Sequence, residues 1–169
     1  MVVALRIIHI LAGVFWVGSV LFATLLLTPA LKASGPAAGT VMNQLVGARR
    51  MPIYMMASGL LTMAAGIWLL LIDSAMQPGV WMRSGTGMTF SMGGGLAILA
   101  FVVGMAVNMP ASQRLAAIGS AVAARGGPPT AEEQAQIQKY QGRMSTASKI
   151  VAFLLVLCTI AMAVARYVQ

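Results

Sequence analysis

Four long apolar stretches, separated by charge or by glycine and proline, organise this chain. No residue from 7 to 31 is charged, and His9 is the single histidine within that run. Further uncharged runs lie between Arg50 and Asp73 and between Arg83 and Arg114, with a shorter one between Lys149 and Arg166. At 1.5 Å per residue, about twenty helical residues cross a hydrocarbon core of about 30 Å. The pattern predicts membrane helices near residues 3–30, 52–72, 87–109 and 146–167, packed as an all-α bundle. On this reading a single integral membrane domain covers residues 1–169.

The interruptions refine the picture. Pro29 and Gly35-Pro36 are expected to end the first helix, and a short interfacial helix from Thr40 to Ala48 leads to Arg49-Arg50. Pro52 suits the first turn of the second helix. Asp73, Gln77, Pro78 and Gly79 predict a short turn. In the third helix, Asn108-Met109-Pro110 removes one helical hydrogen bond and predicts a kink. The alanine-rich segment from Ser112 to Arg125 carries the helix on into water. Gly126-Gly127-Pro128-Pro129 then breaks the chain, and Thr130 followed by Glu133 forms a capping box. The fourth helix should therefore start in water. Its apolar portion, 150–165, covers only about 24 Å, so Lys149 and Arg166 snorkel outward. The third and fourth helices are expected to form a hairpin projecting beyond the bilayer.

Composition excludes a soluble domain. Of the 169 residues 59% are hydrophobic and 8% are charged, against about a quarter charged in soluble proteins. Mean hydropathy is +0.87. The net charge of +8 comes from residues that flank the apolar stretches, which suits anionic lipid headgroups rather than nucleic acid. Lys32, Arg49 and Arg50 lie in the first loop; Arg114, Arg125, Lys139 and Arg143 lie in the third, with Lys149 at its edge. The second loop holds only Arg83. This bias puts the first and third loops in the cytoplasm and both termini outside. The N-terminal stretch is too long for a signal peptide and is read as the first membrane helix. Cys158 is the only cysteine, so no intrachain disulfide forms and it packs as a small hydrophobe.

Two small-residue ridges are expected at helix seams: Ser58, Thr62 and Gly66 in the second helix, and Gly93, Ala97, Ala100 and Gly104 in the third, leading to Asn108. His9, Gly13, Trp16 and Val20 share one face of the first helix. A neutral imidazole can give one nitrogen to a metal while the other makes an orienting hydrogen bond. Haem b beside Gly13, with Trp16 against the porphyrin, suits this spacing; the other reading is an interfacial histidine bonded to a neighbouring helix. With one histidine per chain, haem would be five-coordinate, His/Met-ligated or shared across a homodimer. Met55, Met56, Met88 and Met92 are axial candidates by depth, with Met55 and Met92 preferred. Because thioethers select Cu(I), Met51, Met55 and Met56, or Met88 and Met92, can also form a copper ladder. Arg83 is a candidate propionate partner or interfacial anchor, and Asp73 is placed to pair with it. Asn108 can hydrogen-bond across the bundle. Trp68, Trp81 and Tyr54 read as interface or packing residues.

The segment Ile8-His9-Ile10-Leu11-Ala12-Gly13-Val14-Phe15-Trp16-Val17-Gly18-Ser19 resembles the first membrane helix of the bacterial CopD-like integral membrane proteins. That group includes copper-resistance membrane domains and haem-associated protoporphyrinogen oxidases of the HemJ type. The resemblance covers about 25 residues. It implies a bacterial inner-membrane location, His9 as the haem or metal ligand, and Trp16 and Gly18 as residues that shape the helix. The chain has no later membrane histidine.

No Ser/His/Asp or Cys/His arrangement for nucleophilic catalysis, phosphate loop or charged membrane relay is present. The expectation is a haem-b- or metal-binding membrane protein engaged in electron transfer, with a quinone as a further candidate partner. Two alternatives stay open: an accessory or assembly subunit of a membrane complex, and a copper transport or resistance protein.

Overall fold

The computed structural model describes residues 1–35, 37–75 and 78–168. Four helices in it are long and apolar enough to cross a membrane: α1 (Val2–Ala33), α2 (Met51–Ser74), α3 (Gly85–Arg125) and α4 (Ala131–Tyr167). Among the described residues there is no strand. The chain is an integral, multi-pass helical membrane protein. Its outer surface agrees: Ile10, Leu11 and Val14 of α1 are 58%, 65% and 66% exposed, a surface that lipid covers at no cost and water would not.

The helices form two close pairs, α1 with α2 and α3 with α4, joined by contacts of α2 with α3 and of α1 with α4. The core lies where the pairs meet, around Trp16, Val20, Ala97, Ala100, Val151, Leu155 and Cys158. Alanine at Ala97 and Ala100 lets the backbones approach, which matters where lipid tails compete with side chains for contact. The ridge on α2 is buried at Ser58 and Thr62. Their hydroxyls donate back along α2, to Met55 O at 2.9 Å and Ser58 O at 2.7 Å. Neither therefore needs a partner from another helix.

Pro29 and Pro110, each inside a long helix, are absorbed in the same way. The first helix runs on past Pro29 and ends at Ala33, just before Gly35: a wide π turn over Ala23–Leu27 precedes the proline, and α-helix resumes from Thr28 to Ala33. Thr28 Oγ1 donates to Ala23 O at 2.7 Å, occupying a carbonyl within the loosened turn. Before Pro110 a second π turn covers Gly104–Asn108, and the helix then continues from Met109 to Arg125. A wide turn changes the angular register of everything beyond it. The predicted α3 ridge holds at Gly93, where an added Cβ would lie 3.1 Å from Met162 Cε, and at buried Ala97 and Ala100; at Gly104, the first residue of the wide turn, an added Cβ would meet nothing within 4 Å.

Short helical segments, Ala37–Met42 and a π turn over Asn43–Ala48, connect α1 to α2. Arg50 then enters α2 in the left-handed region, with φ 50°. The expected turn after α2 falls partly on Gln77, outside the described residues. Asp73 is still within α2, and Pro78–Trp81 forms a short helix. Asp73 and Arg83 are not joined: among the described residues the one ion pair is Arg125–Glu133.

That pair closes the α3–α4 hairpin. Gly126, with φ 69°, ends α3 in a left-handed cap. Thr130 Oγ1 accepts from the Glu133 N–H at 3.2 Å, and Glu133 Oε2 accepts from the Thr130 N–H at 2.7 Å. The same carboxylate takes two bonds from Arg125, at 3.0 and 2.7 Å. Arg125 first, and then the Thr130 N–H, hold the Glu133 carboxyl well below its usual range, at about 2. With 41 residues in α3 and 37 in α4, each helix is longer than a hydrocarbon core of about 30 Å requires. The hairpin therefore extends beyond it.

Candidate functional site

The face of α1 carrying His9 is the seam with α2. Three antiparallel contacts set the register: His9 lies at Gly66, Gly13 at Thr62, and Trp16 at Gly59. Gly66 is what admits the imidazole. A Cβ there would lie 2.7 Å from His9 Cε1 and 2.9 Å from Nδ1, so no larger residue leaves the ring in place.

With the ring seated, His9 Nδ1 is 2.8 Å from Thr62 O. A carbonyl oxygen only accepts, so Nδ1 must carry the proton. In the neutral ring Nε2 is then the atom with the lone pair. It makes no hydrogen bond among the described residues, yet it is not an enclosed orphan atom. His9 itself is half-buried. The ring is thus fixed in tautomer and orientation by the backbone of α2 while one basic nitrogen stays open.

Gly13 and Trp16 serve the seam itself. An added Cβ at Gly13 would rest 3.4 Å from Thr62 Cγ2. Trp16 is only 5% exposed and packs edge-on against Phe101, centroids 6.0 Å apart at 72°. Gly59 leaves room for both rings.

The remaining candidates are dispersed. Met55 is partly buried against the core and lies eleven residues before Gly66 in α2, about 16 Å along the axis. The structure does not bring it to His9. Met88 and Met92 are each 59% exposed on the outside of α3. Arg83 is exposed in the turn before α3 and makes no ion pair among the described residues. Among those residues no group of three His, Cys, Asp or Glu side chains could hold a metal ion. At the other end of the bundle Asn108 Nδ2 donates to Ser148 Oγ at 3.3 Å, joining α3 to α4. Asn108 Oδ1 is buried without a donor.

Sequence reasoning missed the Thr62 carbonyl, because a backbone acceptor leaves no mark on residue type. Gly66 was legible as a ridge residue, but its role as the seat of His9 depends on the register between two helices.

Comparisons with protein-family models, with curated proteins and with solved structures each returned no match.

Proposed function

We propose that the protein is a CopD-like membrane protein that holds haem b through His9 Nε2 and takes part in electron transfer. The observation that carries this reading is the Nδ1 hydrogen bond to Thr62 O at 2.8 Å. Ligating histidines characteristically donate their second nitrogen to a carbonyl or carboxylate, which fixes the ring and raises its basicity. Here the donor is spent on α2 and the lone pair remains. A bound haem would supply one-electron redox chemistry; the chain's part would be to orient His9 Nε2 and to shield it on the α2 side.

In His9 one ring nitrogen is spent on α2 while the other makes no hydrogen bond among the described residues. Gly13 and Trp16 support it by bringing α1 onto α2. On this proposal any further ligand would come from outside the α1–α2 seam, a second copy being one source.

The test is a visible spectrum of gently purified protein before and after dithionite. A Soret band with sharpened α and β bands on reduction, lost in His9→Ala at unchanged helicity, is the expected result. Stoichiometric copper without haem would transfer the assignment to soft-metal handling. Neither cofactor would leave the accessory-subunit alternative in its place.

A further inference from the structure

At the end of the bundle opposite His9, α3 and α4 enclose a cleft of about 180 Å³ beside the second wide turn. Val107, Pro110, Ala111 and Arg114 of α3 line it, with Tyr140 and Arg143 of α4. The lining changes along the bundle axis. Val107 ends the apolar run of α3, and Arg114 follows about 10 Å further out. On α4, Arg143 and Tyr140 lie six and nine residues before Lys149, where that helix's apolar portion begins. One edge of the cleft is therefore apolar and level with the hydrocarbon boundary, while the other is cationic and carries a hydroxyl.

The two arginines are uncommitted. Among the described residues neither makes an ion pair. The carboxylate of Glu133, seven residues before Tyr140 on α4, is already taken by Arg125 and Thr130. A guanidinium fork matches a phosphate better than a point charge does. Basic pockets between membrane helices hold anionic headgroups.

We propose that this cleft binds the phosphodiester headgroup of an anionic phospholipid. Arg114 and Arg143 face the phosphate, the Tyr140 hydroxyl donates to it or to the glycerol, and an acyl chain lies against the Val107 edge. Free phosphate shares the oxyanion chemistry but has no use for the apolar edge, which is why the lipid is the occupant assigned.

The full chain in detergent is titrated with dioctanoyl phosphatidylglycerol, dioctanoyl phosphatidylcholine and, separately, inorganic phosphate. Bound lipid is counted by native mass spectrometry, and the rise in Tm follows saturation. Phosphatidylglycerol is expected to bind one site saturably, with an affinity lowered about tenfold or more by R114Q/R143Q, about 1.4 kcal/mol. K139Q, on the same extension but outside the cleft, should change it less than about twofold. The Y140F variant should retain most of the binding. Should the double variant fail to fold, R114Q and R143Q singly decide, each weakening binding several-fold. Equal affinity for phosphatidylcholine, an unchanged affinity in the arginine variants, or full competition by equimolar inorganic phosphate would each overturn the proposal.

Discussion

Glycine at two positions on α2 does different things, and the difference is measurable. Gly66→Ala would put a methyl group against the end of the His9 ring, which can swing away. The expected cost is therefore only that of the Thr62 hydrogen bond, about 0.5–1.5 kcal/mol. On the proposal that His9 holds haem, the haem spectrum should nevertheless be lost or altered although His9 is intact. At Gly59 the same methyl would meet Phe101 and Trp16 ring atoms at 3.1 Å. Those rings lie in the packed interior, so Gly59→Ala should cost about 1–3 kcal/mol through overpacking while leaving the His9–Thr62 geometry alone. Thermal unfolding in detergent, read beside the visible spectrum, separates the two. Equal effects of both substitutions on both readouts would contradict the register described. The sequence placed His9, Gly13 and Trp16 on one face because helical spacing is local. It could not show that α2 fills that face, since the pairing of two helices is decided by three-dimensional fit.

Among the helices, local signals were the ones legible in advance. The Thr130–Glu133 capping box is closed over four residues, so residue types alone reveal it, and the structure has both of its hydrogen bonds. The wide turns before Pro29 and Pro110 were hidden. A missing N–H announces one lost hydrogen bond, not how the backbone around it redistributes. The α4 cap also carries a pH prediction. The folded Glu133 carboxyl is depressed from 4.5 to about 2, so its stabilisation is present above the ordinary value and is lost as pH falls from 4.5 toward about 2. Hydrogen exchange at the Thr130 amide, which donates to the Glu133 carboxylate, corrected for intrinsic rates, should show protection falling over that window. In Glu133→Gln the step should be absent, because the amide that replaces the carboxyl does not titrate. A native chain with no such step would show that the bonds to Arg125 and Thr130 do not hold the turn.

For the whole molecule, four apolar stretches separated by polar breaks were enough to give the architecture, because crossing a bilayer admits few backbone solutions. Orientation rests on the basic residues of the first and third loops. In a Cys158→Ala background, single cysteines at Val2 and Gly79 should react with an impermeant thiol reagent from outside. Cysteines at Ser34 and Gly127 should react only after the membrane is opened. The reverse pattern would invert the topology and move the α3–α4 hairpin to the other side. The same experiment assigns the Arg114–Arg143 cleft to one leaflet. The all-α, four-helix fold was thus readable from hydropathy; the seat of His9 and the cleft were not, since each is made by residues far apart in sequence.

The contact between His9 and Gly66 also ties two positions together in heredity. While the imidazole occupies that notch, glycine is the only residue at 66 that leaves it undisturbed. A lineage that loses His9 is released from the constraint, and alanine or serine there would then improve the helix at little risk. A lineage that first replaces Gly66 displaces the ring and gains nothing from retaining a histidine. Descendants of this chain should therefore keep both residues or lose both, and intermediates with only one should be short-lived.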